Sequence, residues 1–284
     1  MAVGLELFLL LCYTVSTKCL LLVFFLLSNM EHASWPILLL FALFAAFVLA
    51  MISRARRGVP IFLRRIAGLE VIDDAIGRAT EQDRPIMFNP GLDDLGVQLF
   101  CSMAVMGYIV RKAARLSMPV YVPISKPLSY AIAEEYWKDA YAAVHREGTF
   151  AVEDCIRYLS GDQNAFGMST AGWIKRDRVG ANFLFGGYGF EAMIIAEAGQ
   201  QAGAIQVACT HSFFQVPFFV VACDYTVFGE EFYAAGAYFS RDPVLTGSLA
   251  GQDLCKLVIL LIILAGIVSV TVFQADWLSL LLTW

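Results

Sequence analysis

The stretch ANFLFGGYGFEAMIIAEAGQQAGAIQVACT, residues 181–210, decides the fold. Two short apolar runs, 181–186 and 205–210, enclose a helical pattern over 188–202, and a glycine-rich turn follows the first run. Two parallel strands need a crossover of about this length, and such crossovers are almost always right-handed helices. The stretch therefore predicts a strand, a helix and a parallel strand.

The same alternation fills the chain from Pro85 to about residue 253. Further strands are predicted at 85–89, 119–124, 155–160 and 218–226, and further helices at 93–117, 127–146, 162–176 and 228–240. The run at 218–226 has the valine and aromatic content of a central strand that is buried on both faces. The predicted fold class is α/β, with a Rossmann-like, mostly parallel sheet flanked by helices.

One apolar segment inside this domain, residues 95–110, could be taken for a membrane span. It is short for a span and contains Gln98, so we interpret it as a buried core helix. The composition of the whole chain nevertheless points to a membrane protein. With 59% hydrophobic and 16% charged residues and a mean hydropathy of +0.66, the chain is too apolar for an ordinary soluble protein.

About three transmembrane helices are predicted, at 3–27, 36–52 and 257–273, because each segment can cross roughly 30 Å of hydrocarbon. The first could instead be a secretory signal, but no basic residue precedes its apolar run. Lys18 lies inside it and should either reach the membrane surface or meet a partner. The predicted domains are a two-helix transmembrane hairpin at 1–53, an amphipathic juxtamembrane segment at 54–84, the Rossmann-like domain at 85–253, and a C-terminal transmembrane helix with its tail at 254–284.

Orientation follows from a cluster of basic residues just after the second span. Cytoplasmic flanks of spans are enriched in arginine and lysine, and the same side chains can bind phosphates of membrane lipids. We therefore expect an inner (cytoplasmic) membrane location with the large domain in the cytoplasm. The membrane-surface residues are Arg54, Arg56, Arg57, Arg64 and Arg65.

Charge and cysteine usage exclude several classes of function. The net charge is −5 and the basic residues cluster beside the predicted membrane, which argues against nucleic acid as a partner. The seven cysteines include no C-x-x-C pair and have no histidine at metal-ligand spacing, so neither a metal site nor a disulfide framework is indicated.

Three stretches carry a family resemblance: GGYGFEAMIIAEAG (186–199), AGAIQVACT (202–210) and CDYTVFGEEFYAAGAYFSRDPVLTGSLAGQD (223–253). The chain resembles a family of prokaryotic membrane proteins described only by a domain of unknown function, with a Rossmann-like core and terminal hydrophobic helices. The likeness covers roughly residues 85–270. It departs from the family where His211, Phe213 and Phe214 replace small polar residues. The resemblance implies fold and topology, without a reaction or a cofactor.

Ligands of open α/β sheets bind outside the carboxyl ends of the strands. After the first strand come Asn89, Gly91 and Asp93, where glycine permits a tight turn and the aspartate can cap the next helix. After the fourth strand, Gly187 belongs to a partial G-x-G-x-x-G pattern that is weak evidence for a nucleotide. Glu191, in the first turn of the following helix, would repel a phosphate.

Two further candidates come from the last strands. His211 ends the fifth strand and could form an acid/base or metal pair with Asp224, although a lone histidine is more often a structural polar residue. Asp224 and Glu230 could gather at one sheet edge to hold a cation, act as acid and base, or bind backbone amides.

Two functions remain open at this point. The first is a non-enzymatic, membrane-anchored scaffold subunit of a homo-oligomer or larger membrane assembly, which the lack of a complete catalytic motif and the surplus of aromatic residues favour. The alternative is a small-molecule or nucleotide-binding enzyme that uses the strand-end crevice. Transport is weaker, because three spans per chain form a pathway only after oligomerisation.

Overall fold

A computed structural model describes residues 35–59, 61, 67–146, 148–240 and 242–273. The predicted span at 3–27, Lys18, Arg64 and Arg65 lie outside these residues. Internal packing divides the chain into two compact units. One is Ala50–Ala250, and the other contains the described residues 35–49 and 251–273.

The larger unit is built on a six-stranded sheet in which every strand pair is parallel. The strand order is β3-β2-β1-β4-β5-β6, which is the order of the Rossmann fold. The predicted α/β class and parallel sheet are confirmed. The strands are β1 (Ile86–Gly91), β2 (Val120–Ile124), β3 (Ile156–Tyr158), β4 (Ala181–Gly187), β5 (Ile205–Thr210) and β6 (Tyr225–Phe228).

Side chains alternate between the two faces of the sheet, and both faces are buried. In β4, Phe183 and Phe185 join one hydrophobic core while Leu184 joins the other. Continuous apolar strands of this kind need helices on both sides. The helices of the larger unit are α2 (Ala67–Glu81), α3 (Val97–Arg115), α4 (Pro127–Ala142), α5 (Val152–Cys155), α6 (Gln163–Asp177), α7 (Glu191–Ala202), α8 (Val216–Ala222) and α9 (Glu230–Ser240).

The first face of the sheet carries α2, α3, α4 and α9, and the second carries α6, α7 and α8. Helix α3 coincides with the segment that we interpreted as a core helix, and twelve of its residues are buried. After β3 the crossover helices change from the first face of the sheet to the second. The chain then returns to the centre of the sheet, where β4 lies beside β1. The connections that leave these two strands run in opposite directions. This is the topological switch point, where α/β proteins bind ligands.

The sixth strand differs from the prediction. Residues 216–222 form α8, and the strand begins only at Tyr225, at the edge of the sheet. Pro217 lies in the first turn of α8, where its missing N–H costs nothing, whereas in a central strand it would remove a ladder hydrogen bond. Apolar composition alone does not separate a short helix from a buried strand.

Two helices are long and apolar enough to cross a membrane: α1 (Trp35–Arg56) and α10 (Pro243–Phe273). Among the described residues there are thus two candidate spans, where the sequence predicted about three along the whole chain. Only 6% of each apolar window is buried inside the structure, unlike the core helix of a soluble protein.

Helices α1 and α10 approach closely at two glycines. A Cβ atom at Gly247 would lie 2.6 Å from the Cα of Ile52, and one at Gly251 would lie 2.7 Å from the Cα of Val48. The motif Gly247-Ser-Leu-Ala-Gly251 has the small-xxx-small spacing that lets membrane helices pack backbone to backbone.

The juxtamembrane segment is divided differently from the prediction. Arg54 and Arg56 belong to the last turn of α1, and Arg57 follows it. The amphipathic helix of this region is α2, which buries Leu69, Ile72 and Ile76 and forms part of the first core. Tertiary packing, not a membrane surface, covers the apolar side of α2.

Candidate functional site

The turns after β1 and β4 lie against each other at the switch point. The Leu92 amide donates to the Gly187 carbonyl at 2.9 Å, and a side chain at Gly91 would overlap the same carbonyl. Gly91 has φ +77° and Gly186 has φ +156°, which is backbone that L-residues rarely adopt. Glycine here permits backbone contact between the two turns.

Asp93 does not cap the following helix, contrary to the sequence interpretation. The N-cap of α3 is Gly96, which makes no side-chain capping bond. The Asp93 carboxylate accepts instead from the Gly187 amide at 2.7 Å, and its other oxygen lies 3.8 Å from Nε2 of His211. Asp93 therefore joins the ends of β1, β4 and β5.

Burial controls the protonation of Asp93. Its side chain is 14% exposed, and desolvation raises the pKa of the carboxyl above its ordinary value of 3.8. The Gly187 amide, His211 and Lys126 oppose this rise without cancelling it. A carboxyl of this kind favours its neutral form more in the folded than in the unfolded chain.

The raised pKa gives a prediction about pH. Stability from Asp93 is complete below pH 3.8 and is lost as the pH rises through the folded pKa, because ionisation is disfavoured only in the folded state. Asp93→Asn keeps an acceptor for Gly187 and cannot ionise. The difference in free energy of unfolding, variant minus parent, should therefore increase from pH 3.5 to pH 7 in denaturant titrations.

Asp94→Asn is the matched control for this titration. The Asp94 side chain is 93% exposed and pairs with Lys126 at the surface, so its substitution should shift stability only slightly. A variant-minus-parent difference for Asp93→Asn that stays constant or decreases with pH would show that burial does not control this carboxyl.

Glu191 is fully buried at the first residue of α7. One carboxylate oxygen accepts from the Gly189 amide at 2.7 Å, and the other accepts from the side-chain amide of Gln163 in α6. Two of the backbone N–H groups after β4, those of Gly187 and Gly189, each donate to a carboxylate of the chain itself, although amides at such a turn can bind a phosphate.

Three further polar residues, which the sequence analysis did not identify, add hydrogen bonds at the switch point. The Tyr188 hydroxyl donates to the Asn89 carbonyl at 2.6 Å, and the Ser125 hydroxyl donates to the Gly91 carbonyl at 3.2 Å. Gln163 is the third. A signal was available for Tyr188, which lies inside the G-x-G turn, and for Ser125, which directly follows β2. Nothing local marks Gln163, because it arrives from the other side of a crossover.

Two polar atoms at this edge lack a partner among the described residues. Asn89 is fully buried, and its side-chain oxygen accepts from the Gly91 amide at 2.9 Å while its Nδ2 makes no hydrogen bond there. Nδ1 of His211 is likewise buried and without a bond in the described part of the chain. The His211 ring packs against Phe232, with centroids 5.3 Å apart.

His211 lies at the carboxyl ends of the strands, whereas Asp224 lies at their amino ends. The predicted pair between these two residues therefore does not form. Asp224 precedes β6, and its carboxylate accepts from the amide of Gln206, the second residue of β5, at 2.8 Å. Parallel strands all begin at the same end of the sheet, so Asp224 and Gln206 both lie at the amino ends of the strands. The misplaced sixth strand caused this error.

The Gln206 side chain extends the network around Asp224. Its Nε2 donates to the carbonyls of Ala196 and Ala222, at 2.7 and 2.9 Å, and its Oε1 accepts from Asn182 at 3.0 Å. These bonds connect β4 and β5 to α7 and α8. Asp224 and Gln206 therefore connect β5 to the crossover helices on either side of it.

Glu230 begins α9 after the carboxyl end of β6, whereas Asp224 precedes the amino end of the same strand. The carboxylates of the last strands are thus not gathered at one place. No group of three or more histidine, cysteine, aspartate or glutamate side chains with metal-binding geometry occurs among the described residues.

The chain belongs to a family whose description is Domain of unknown function (DUF6754), and the match spans residues 27–281. The predicted membership in a family of unknown function is confirmed. The match begins before α1 and so includes more of the N-terminal region than the resemblance had covered. No curated protein and no solved structure matches the chain.

Proposed function

We propose that this DUF6754 protein is a membrane-anchored structural subunit whose Rossmann-like domain associates with further copies, or with other subunits, in a membrane assembly. Its strand-end crevice then serves to hold the domain rigid. The following observations support this function over catalysis.

The closure of the switch point carries the proposal. Asp93 binds the Gly187 amide, Glu191 binds the Gly189 amide, and Tyr188 binds the Asn89 carbonyl. In nucleotide-binding proteins of this topology, such amides receive the ligand. Carboxylates of the chain occupy them here, so an incoming phosphate would have to displace a negative charge.

Membrane anchoring is the second part of the proposal. Helices α1 and α10 have the length and composition of spans, and large apolar side chains on both are exposed, among them Phe41 at 73% and Ile267 at 57%. Lipid tails would cover such surfaces. Arg54, Arg56 and Arg57 at the end of α1 support a location in the inner (cytoplasmic) membrane with the domain in the cytoplasm, where these arginines can bind lipid phosphates.

Native mass spectrometry of the full chain, released from mild detergent, tests the assembly. We expect species at multiples of 31.3 kDa that persist at low micromolar concentration, because subunits of stable assemblies stay together on dilution. A single 31.3 kDa chain at every concentration, with no other subunit attached, would remove the proposed function.

A second candidate function, a small-molecule-binding enzyme, rests on the Asp93–His211 pair and on the unpartnered Nδ2 of Asn89. A buried polar atom without a partner is the kind of group that a ligand would satisfy. The same mass spectra decide this candidate. An enzyme of this type should retain a small molecule that the His211→Ala variant loses, whereas a structural subunit should show protein masses and lipid only.

A further inference from the structure

We infer that the surface formed by the 3-10 turn Phe213–Gln215, α8 and the end of β6 is the contact between two copies of this chain. This inference rests on the proposed function and names the surface through which the domains associate. We call this surface the crossover patch. Its residues are Phe213, Phe214, Phe218, Val220, Val221 and Phe228.

Exposure distinguishes α8 from the other helices of the second face. The large apolar side chains of α6 are mainly buried, with Met168 as the exception, and α7 exposes Met193, whereas α8 buries Phe219 and turns most of its remaining apolar surface outward. Phe214 is 87% exposed, Val221 84% and Phe213 71%. Side chains of this size rarely stand together in water without a covering partner.

The patch extends from α8 to the carboxyl end of β6 and follows one face of the sheet. A side chain at Gly229 would lie 3.4 Å from the Phe213 ring, which places Phe213 beside the end of β6. Phe228 pairs with Thr210, and both alternate with Val227 and Cys209 of the first core. Phe228 therefore points to the face that α8 covers.

The area of the patch suits a protein partner. With about 150–250 Å² for a whole aromatic side chain, the exposed fractions of the six residues amount to roughly 700 Å². The largest apolar patch of a typical monomer is about 300–600 Å². A pair of such patches reaches the ~1,200–2,000 Å² of a stable protein–protein interface.

Charge favours a second copy over a lipid surface. Residues 212–223 contain no charged side chain, and the first ones that follow are acidic: Asp224, then Glu230 and Glu231. A cytoplasmic membrane surface is negative and would repel these carboxylates. An uncharged apolar patch is complementary to itself, as a two-fold contact requires.

The edge strand offers a second self-complementary element. β6 is the last strand of the sheet, and no other strand in the described part of the chain pairs with it on its outer side. Strand edges of this kind are templates for pairing with another chain. Two copies related by a two-fold axis can place β6 against β6 in antiparallel orientation while their crossover patches meet.

Charge insertion into the patch tests the inference on the full chain. Val221→Glu and Phe214→Glu place a carboxylate on side chains that make almost no contact within the chain, so the domain should fold with an unchanged melting temperature. We expect the dissociation constant of the assembly, measured by mass photometry, to rise at least tenfold. Met168→Glu is the matched control, because Met168 is 68% exposed on α6, outside the patch, and should leave the assembly unchanged.

The outcomes separate this inference from the proposed function. If the parent is a single chain, the proposed function and the inference both fail. If the parent assembles and Val221→Glu and Phe214→Glu assemble equally well, the crossover patch is not the contact and the proposed function stands.

A photoreactive phenylalanine analogue at Phe214, irradiated in native membranes, identifies the occupant directly. A covalent product of twice the chain mass supports a second copy. A lipid adduct, a product with a different protein, or an internal crosslink within one 31.3 kDa chain overturns the inference.

Discussion

Gly186→Ala is expected to destabilise the larger unit by about 3–5 kcal/mol, because the substitution combines overlap with strained backbone. A Cβ atom at Gly186 would overlap the Pro90 carbonyl oxygen, and Gly186 has φ +156°. Relief would require the turns after β1 and β4 to separate, and the hydrogen bond from Leu92 to Gly187 would be lost with them. Denaturant unfolding of the purified full chain, followed by tryptophan fluorescence, measures the effect.

Gly172→Ala is the matched control for this substitution. Gly172 lies within α6, and a Cβ atom there would meet no atom within 4 Å. Alanine favours helices over glycine, so this variant should be neutral or more stable by up to about 1 kcal/mol. Equal stability of Gly186→Ala and the parent would mean that the two turns do not touch as described.

Arg84→Ala should cost about 2–4 kcal/mol, because one guanidinium satisfies the carboxyl ends of two helices. Its Nε donates to the Arg178 carbonyl at 2.7 Å, and its Nη2 donates to the carbonyls of Val179 and Ala202 at 2.8 and 2.5 Å. The last carbonyls of a helix have no intrahelical partner and carry the negative end of the helix dipole. Removing the side chain takes this donor away from the two carbonyls that directly follow α6 and from the last carbonyl of α7.

Arg84→Lys separates charge from geometry at this position. Lysine keeps the positive charge, but a single ammonium cannot donate in the fixed fork of a guanidinium. We expect it to restore about half of the stability that Arg84→Ala loses, as read from the shift in the urea midpoint. Full restoration by lysine, or no loss on alanine substitution, would show that the fork does not join the two helix ends.

The positions of β1 to β5 could be read from the sequence, because each is a short apolar run between turn residues and helical stretches. The parallel arrangement followed from the helix-length connections, since parallel strands need a crossover. The apolar stretches of α1 and α10 were also visible by composition and length. These properties are local, so local pattern was sufficient.

The partners of the site residues could not be read in the same way. Asp93 has helix-capping sequence context, yet it binds Gly187 and approaches His211, which lie 94 and 118 residues further on. Glu191 meets Gln163 only because α6 and α7 cover the same face of the sheet. Such contacts depend on strand order, and a residue's local context does not encode which strands become neighbours.

The sequence by itself thus determined the α/β class, the parallel crossovers and the apolar helices, because these follow from periodicity, length and turn chemistry. Tertiary structure decided which end of the sheet each polar residue reached. The run from Phe213 to Phe228 shows the reason. Its apolar residues suit a buried strand or a short helix equally well. Tertiary packing made Tyr225–Phe228 the outermost strand of the sheet and left residues 216–222 as the surface helix α8. The same packing placed Asp224 at the end of the sheet where the strands begin.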